Sequence, residues 1–233
     1  MKNFYCLVFT IILLVSCNQK ENSTSTIKTV AAMKDVMWKG ELQGKINLDT
    51  ISDKMGLFGL GPVSGLTGEI LINDGRVYTS KVTSDSTMIV EKNKLVEAPF
   101  FVYGNVTNWQ EIALPKEVND LNTLEKFIDE TKANTTKPFI FKLKGMVDAA
   151  KIHIQNLPKG TKVSSPKEAH QSQVTYNLEN EEVEIIGFFS RKHQGIFTHH
   201  DSLAHMHLIT SDERKMGHLD AAQFQQLKLY ISK

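Results

Sequence analysis

The stretch Ala204-His205-Met206-His207-Leu208, followed ten residues later by His218, decides how the second half of the chain is interpreted. If residues 204–210 form a β-strand, His205 and His207 lie on one face because strand side chains alternate. The polar run at 211–214 lies midway between His207 and His218. A hairpin turning there sets these two side chains opposite each other, with Cβ atoms about 5 Å apart. Three imidazoles that converge from two strands are typical of a catalytic Zn²⁺ site with one open coordination position.

Histidines are concentrated in this part of the chain, since five of the eight fall between residues 199 and 218. His199 and His200 precede the predicted strand, and Asp220 lies two residues beyond the last histidine. These side chains are candidates for hydrogen bonds that orient metal ligands. For His199 and His200, an exposed loop is the alternative. A cupin-type site is a weaker interpretation, because Glu213 and Gly217 fit its spacing poorly.

The composition is that of an ordinary globular protein. The chain has 233 residues, a 41% hydrophobic fraction and a 23% charged fraction, enough for one large domain or two small ones. The formal net charge is +1 and there is no basic run. Nothing in this pattern indicates a nucleic-acid partner.

The first 17 residues predict a signal peptide rather than part of the fold. Lys2 precedes an apolar run, Phe4–Val15, that is too short to span a bilayer. It ends in Leu14-Val15-Ser16-Cys17, which is similar to a bacterial lipobox. We therefore predict a lipoprotein of the bacterial cell envelope, anchored to the membrane through lipid on Cys17, with an ordinary cleaved signal as the alternative. Residues 18–26 are polar and predict a flexible tether, so the folded domain is expected at 27–233.

Two features of the first half predict local geometry. Asp74-Gly75 between two β-prone runs indicates a tight hairpin. Glu69 opens the first of these strands, and the pattern alone predicts a solvated side chain. The glycine-rich segment at 57–62 lacks the Lys-Ser/Thr of a phosphate loop and is interpreted as a bend.

The remaining periodicity favours sheet over helix. Residues 121–131 have apolar side chains at helical spacing, with Asn122 and Glu125 at capping-box positions. Strand-like runs are found at 87–91, 99–106, 139–143, 150–154, 173–178, 182–189 and 226–231. This pattern predicts a sheet-dominated α+β fold of two β-rich halves, divided near residue 136, with few short helices. The metal site is expected on the hairpin of the C-terminal half, 137–233.

The order of several motifs resembles that of the alpha-acetolactate decarboxylase family over about residues 55–220. The motifs are Gly59-Leu60-Gly61, Leu66-Thr67-Gly68-Glu69, Gly145, Gly160-Thr161, His205-x-His207-Leu208 and Gly217-His218-Leu219-Asp220. The resemblance implies a zinc enzyme of two sheet-rich halves, often a dimer, that converts acetolactate to acetoin and CO₂. It also implies that His205, His207 and His218 bind the zinc and that Glu69 points at it.

This sequence departs from the family pattern at three positions, and the resemblance also implies roles for Glu69 and His153. Thr67 replaces the usual Asp. The arginine expected about eight residues after Gly145 is replaced by His153, and a glutamate expected near the C-terminus has no counterpart before Lys233. We assign proton transfer to Glu69. His153, if protonated, can hold the substrate carboxylate, and otherwise it faces a polar cleft.

Two hypotheses about function follow. The first is zinc-dependent decarboxylation of 2-acetolactate, or of a close 2-hydroxy-3-keto acid. The second is a non-catalytic envelope lipoprotein that binds zinc or a small ligand at the same site.

Overall fold

The structure, a computed structural model, describes residues 26–233. The predicted signal peptide and nearly all of the predicted tether lie outside the described residues, so both remain predictions. Within 26–233, no helix is long and apolar enough to cross a membrane.

Strands dominate this part of the chain, with three α-helices between them, so the predicted sheet-dominated α+β fold is confirmed. The strands are β1 (Lys28–Val30), β2 (Ile46–Asn47), β3 (Leu57–Pro62), β4 (Glu69–Asn73), β5 (Arg76–Ser84), β6 (Thr87–Lys92), β7 (Glu97–Ala98), β8 (Phe101–Asn105), β9 (Trp109–Ile112), β10 (Phe139–Ile154), β11 (Val174–Phe189), β12 (Ala204–Thr210) and β13 (Met216–Ser232). The helices are α1 (Met33–Lys39), α2 (Leu121–Thr131) and α3 (Pro166–Ala169).

Two antiparallel sheets organise the molecule. The first has the strand order β1-β8-β3-β4-β5-β6, and the second has the order β10-β11-β12-β13-β9. Strand β10 also pairs with β13, so β10 to β13 form a closed ring of pairings. Strand β9 precedes the predicted division near residue 136 but pairs with β13, for example at Glu111 and Tyr230, and so belongs to the second sheet.

The two local predictions in the first half have different outcomes. The Asp74-Gly75 hairpin is confirmed: β4 and β5 flank it, and φ angles of 51° and 78° match the mirror-image turn that suits twisted strands. The glycine-rich segment is not a bend but the buried strand β3, which lies between β4 and β8. A Cβ at Gly59 would lie 2.7 Å from Phe101 Cε1, so glycine is needed for this aromatic ring to pack on the strand.

The long strands of the second sheet differ from the separate short strands that the sequence predicts. The runs at 139–143 and 150–154 are one strand, β10, and the two runs between 173 and 189 are one strand, β11. Exposed polar residues interrupt the apolar pattern in the middle of each strand. The ladder continues there through backbone pairing, with register shifts near Val147 that sequence periodicity does not show.

Helix α2 has the predicted bounds but a different cap. Asp120 accepts the Thr123 N–H at 2.8 Å, and Thr123 Oγ1 accepts the Asp120 N–H at 3.1 Å. The assignment of the capping box to Asn122 and Glu125 is therefore wrong. A threonine hydroxyl serves at the third helical position, where the usual pattern has Glu or Gln.

Two apolar cores separate the faces of the second sheet. The inner face of the ring packs on itself and on α2, through residues that include Leu124, Ile128, Phe141, Ile152, Ile185, Met206, Leu208 and Leu229. The opposite face packs against the first sheet through residues that include Phe58, Leu60, Leu71, Ile186, Phe188, Ile209 and Met216. Each such buried side chain contributes about 1.5–3 kcal/mol of transfer free energy. Because Met206 and Leu208 point into the ring, the histidines between them face the first sheet.

Candidate metal centre and active site

A row of imidazoles crosses three strands on the face toward the first sheet. His207 on β12 pairs with His218 on β13, as the hairpin spacing predicted. His218 also pairs with His153 on β10. His205 lies two residues before His207 and shares its face. Backbone register therefore places four histidine side chains in one patch.

His205 and His218 make the closest contact in this patch. His205 Nδ1 lies 2.7 Å from the Phe197 carbonyl oxygen. A carbonyl only accepts, so Nδ1 carries the proton and Nε2 presents a lone pair. In the metal-free structure Nε2 accepts a hydrogen bond from His218 Nδ1 at 3.0 Å. The carbonyl thus fixes the His205 tautomer in the way that backbone groups orient metal-binding histidines.

His207 is fully buried beside this pair. Its ring centroid lies 5.2 Å from that of His205 and 5.5 Å from that of His218. Neither of its ring nitrogens makes a hydrogen bond of good geometry among the described residues, although a weak backbone contact with Ile70 raises the pKa of the ring slightly. A buried imidazole without a good partner is costly, and a cation bound to one of its nitrogens would compensate for the missing hydrogen bond.

Glu69 reaches the same point from the first sheet. Its side chain is 3% exposed, so the prediction of a solvated carboxylate from the strand pattern is wrong. Glu69 Oε2 lies 3.7 Å from His207 Nε2, and Oε1 accepts the Gln155 N–H at 3.1 Å. Burial raises the pKa of Glu69 well above its usual value, against the opposing effect of this hydrogen bond. Desolvation therefore favours the protonated acid in the metal-free site.

His153 lies at the edge of the cluster and is buried between two polar side chains. Its Nδ1 donates to Asp220 Oδ1 at 2.8 Å, and its Nε2 lies 3.4 Å from Gln155 Nε2. Gln155 Oε1 is buried without a partner among the described residues. Rotating this amide by 180° turns Oε1 toward His153 Nε2 and gives the buried oxygen a polar neighbour.

The two histidines ahead of β12 have different environments. The ring of His199 lies 5.0 Å from that of His218 and 5.8 Å from that of His205. His200 is 91% exposed and lies outside the cluster. The exposed-loop alternative therefore describes His200 but not His199.

Sequence reasoning missed two residues of the site. Gln155 follows His153 by two positions and lies one residue past the end of β10, so extending the strand alternation by one residue was a usable signal. His170 follows the short helix α3 and lines a small cavity together with Glu69, His153 and Gln155. Nothing in its local sequence indicated that position.

Burial sets the electrostatics of the histidines. Desolvation lowers the pKa of His207 to about 3, with His153 adding to the shift. It also lowers the pKa of His205 and His218 well below the usual value, and neighbouring imidazoles lower both further. The rings are therefore neutral at pH 7, which is the form that binds a metal ion. Neutral imidazoles, an oriented lone pair and the unpartnered His207 nitrogens fit a divalent cation.

Two sets of side chains bring one ligand atom each within 4.8 Å of one another in the described structure. One set is His199, His205 and His218. The other is His153, His218 and Asp220. His207 belongs to neither set, so the structure groups His199 with two of the predicted ligands more tightly than it does His207.

Two cavities meet at the cluster. An inner cavity of about 20 Å³ is lined by Met33, Met37, Pro62, Leu66, Glu69, Phe100, His153, Gln155, His170, His199, His205 and His218. An outer cleft of about 390 Å³ is lined by Leu121, Asn122, Glu125, His199, Asp201, Ser202, Ala204, Met206, His218, Leu219 and Asp220. His199 and His218 line both. The outer cleft is therefore a route of approach to the histidines.

Comparison with known proteins assigns the family. The family model described as alpha-acetolactate decarboxylase matches residues 29–233. This chain belongs to the alpha-acetolactate decarboxylase family. The predicted family is thereby confirmed, and with it the prediction of a carboxy-lyase-type enzyme.

Individual relatives of this family member are distant in sequence. The alpha-acetolactate decarboxylase of Brevibacillus brevis is 25% identical over 223 residues, which cover 91% of this chain and 75% of that protein. The crystal structure of the enzyme from Bacillus subtilis strain 168 superposes with a TM-score of 0.73 at 23% identity, covering 88% of this chain and 84% of that one. A Staphylococcus aureus protein of unknown function, similar to alpha-acetolactate decarboxylase, gives the same TM-score and coverage at 14% identity. These structures share the fold.

Proposed function

We propose that this family member is a zinc-dependent acetolactate decarboxylase, which converts 2-acetolactate or a close 2-hydroxy-3-keto acid to acetoin and CO₂. The observation that supports it is the meeting of two sheets at one point. The buried carboxylate of Glu69, from the first sheet, lies 3.7 Å from a ring nitrogen of His207, which is paired with His218 across the second. Family membership supports the reaction type.

His205, His207 and His218 are the proposed zinc ligands. Their nitrogens are neutral and buried, and zinc prefers such donors in a site that leaves a position open. When bound, the ion would supply a positive charge that stabilises negative charge developing on a substrate oxygen.

Glu69 is the proposed proton donor. Loss of CO₂ from a β-keto acid breaks a carbon–carbon bond and moves its electron pair onto the ketone oxygen, leaving an enolate. A proton must then be delivered to carbon on one face. Glu69 is enclosed and held at Oε1 by the Gln155 N–H, so Oε2 is the atom that carries and delivers the proton. Enclosure also keeps bulk water from protonating the wrong face.

His153 is the proposed positioning group for the substrate carboxylate. It lies next to His218 and is oriented by Asp220 and Gln155. A substrate carboxylate would accept from Nε2 in place of Gln155, while Nδ1 stays bonded to Asp220. The ring lacks the planar two-donor fork of an arginine.

The proposal places the enzyme in the bacterial cell envelope. The lipobox-like sequence that ends at Cys17 supports a lipid anchor. A homodimer stays a prediction from the family resemblance.

Glu69→Gln tests the chemical role. We expect acetoin production from acetolactate to fall about 10²–10⁴-fold, because the amide keeps the shape of the side chain but lacks the proton. Bound zinc is measured in the same samples and should stay near that of the wild type. The matched control is Glu91→Gln, an exposed change on β6 of the same sheet. Equal turnover in Glu69→Gln and the control would remove Glu69 from the mechanism.

The same measurements of zinc and acetoin test the alternative function, a non-catalytic binder. His153 stands where the resemblance expects an arginine, and this substitution favours a non-catalytic binder. Bound zinc without acetoin from any acetolactate homologue would support that interpretation. His207→Ala should lose the zinc in either case, whereas the exposed His200→Ala should retain it.

A further inference from the structure

His199 lies where neither the sequence pattern nor the three proposed ligands require a histidine. It belongs to the connection between β11 and β12, and its ring stands over His205 and His218 at centroid distances of 5.8 and 5.0 Å. One ligand nitrogen from each of the three lies within 4.8 Å of the others. Among the described residues, no hydrogen bond involves the His199 ring. A half-buried ring without a partner is available for a ligand.

The connection that carries His199 is fixed at several points. Arg191 donates to the Asp129 carbonyl oxygen in the last turn of α2 at 2.8 Å and to the Thr135 carbonyl oxygen in the loop after it at 2.6 Å. The Met33 N–H, at the start of α1, donates to the Ile196 carbonyl at 2.8 Å. The neighbouring Phe197 carbonyl holds His205. The segment therefore presents His199 to the site from an anchored frame.

The His199 ring lies between the inner cavity and the outer cleft. The inner cavity of about 20 Å³ has room for about one water molecule, which is too little for a five-carbon acid. The outer cleft of about 390 Å³ is large enough. His199 lines both, so a substrate that approaches His218 from the cleft meets the His199 ring.

We propose that His199 is a fourth imidazole ligand, which closes the metal centre in the resting protein and leaves it when substrate arrives from the outer cleft. This inference rests on the proposed zinc site. Nitrogens that share one tetrahedral zinc at about 2.0–2.1 Å are about 3.3 Å apart. The His205–His218 pair is already near this spacing at 3.0 Å. The His199 nitrogen, which lies within 4.8 Å of the other two, would move closer by side-chain rotation on metal binding.

Metal affinity is the first test, measured by competition with a chelator of known zinc affinity. Loss of an outer hydrogen-bond partner of a ligand already weakens metal binding about 10–100-fold. We therefore expect His199→Ala to bind zinc at least about tenfold more weakly than the wild type. His200→Ala is the matched control, since it is adjacent and exposed. Its affinity should equal that of the wild type.

Cobalt substitution gives a direct readout of ligation. In the Co²⁺-loaded His199→Cys protein, a thiolate at this position adds a sulfur-to-cobalt charge-transfer band in the near ultraviolet, which is absent from the wild type and from His200→Cys. Adding acetolactate, or pyruvate as a smaller keto acid, should weaken the band, because the added acid displaces the thiolate from the cobalt. The chemical step is not needed for this measurement.

The outcomes separate this inference from the proposed function. Wild-type protein that binds neither zinc nor cobalt contradicts the proposed metal site itself. A wild type that binds, together with His199→Ala of unchanged affinity and His199→Cys without the band, overturns the role of His199 alone. Thermal unfolding of the metal-free variants identifies any that fail to fold. If His199→Ala is one of these, His199→Asn is used in its place for the affinity measurement.

Discussion

At the scale of single residues, Glu125 connects helix α2 to the strand that carries two of the histidines. One carboxylate oxygen accepts from the Ser202 hydroxyl at 2.6 Å and from the Leu203 and Ala204 N–H groups at 2.9 and 3.2 Å. Ala204 is the first residue of β12. The helix thus fixes where the histidine strand begins.

Replacing this carboxylate should loosen the strand. We expect Glu125→Ala to lower the free energy of unfolding by about 1–3 kcal/mol, because partly buried N–H groups lose a charged acceptor. Zinc affinity should fall with it. Urea denaturation and chelator competition measure the two effects. Glu130→Ala, on an exposed turn of the same helix, should change neither, and a similar loss in both variants would contradict the role of Glu125.

The residues of the site were predictable where spacing fixed them. His205, His207 and His218 follow from strand alternation and one hairpin, and the His207–His218 pairing is confirmed. Their role as metal ligands stays a prediction. The proximity of Glu69 and His153 came only through the family resemblance, because long-range packing between sheets leaves no local pattern. The solvated interpretation of Glu69 failed for the same reason.

At the scale of elements, Gly145 controls the pairing of the longest strands. Its φ of +141° lies in a region that L-residues avoid, and a Cβ there would collide with the Gln226 carbonyl oxygen on β13. Glycine is therefore needed where β10 passes β13. Sequence alone marked this residue only as part of a family motif.

We expect Gly145→Ala to destabilise the protein by about 3 kcal/mol or more, since backbone strain adds to the collision. Thermal or urea unfolding measures the change. Gly160→Ala is the control, because Gly160 also has a positive φ of 86° but a Cβ added there would have nothing within 4 Å. Equal losses of stability in the two variants would show that the collision with β13 does not contribute to the destabilisation.

The turn between β12 and β13 predicts a pH dependence. Hydrogen bonds from Thr210 and Arg214 lower the pKa of Asp212 to about 2, from an ordinary value of 3.8. A group with a lowered folded-state pKa contributes stability that is complete above its unfolded pKa and is lost as the pH falls through its folded pKa. The contribution is therefore present above pH 3.8 and disappears toward pH 2.

Asp212→Asn should remove this dependence. We expect the difference in unfolding free energy between wild type and variant to shrink as the pH falls from about 5 to about 2. Chemical denaturation at several pH values measures this difference. The other carboxylates contribute equally to the wild type and the variant, so their pH dependence cancels in the difference. A difference that stays constant over this range would contradict the assignment.

Element boundaries were predictable for short elements with a regular apolar pattern, but not for the long strands of the second sheet. Strand β12, helix α2 and the Asp74-Gly75 hairpin match the periodicity closely. Strands β10 and β11 were divided, because solvent exposure in their middle breaks the alternation while backbone pairing continues. Sequence patterns report burial, and a strand that leaves the core loses its pattern without ending.

At the scale of the whole molecule, the proposed zinc would join β12 to β13 beneath the buried Glu69 of the first sheet. A ligand that binds only the folded state stabilises it by about 4 kcal/mol at a thousandfold excess over Kd. For a domain of this size we expect zinc removal to lower the Tm by about 8–16 °C. Differential scanning calorimetry with and without chelator measures the shift. His207→Ala should show little response to chelator, and an equal shift in that variant would place the zinc elsewhere.

The double pairing of His218 has a consequence for folding. On strand β13, this one residue lies opposite His207 of β12 and opposite His153 of β10. A slip of β13 by a single residue would turn His218 to the opposite face and bring Gly217 or Leu219 into its place. Misaligned chains would therefore be unable to gather the three rings. If the proposed site binds its ion, only a correctly aligned sheet would retain it, and the metal content of a preparation would then measure strand alignment.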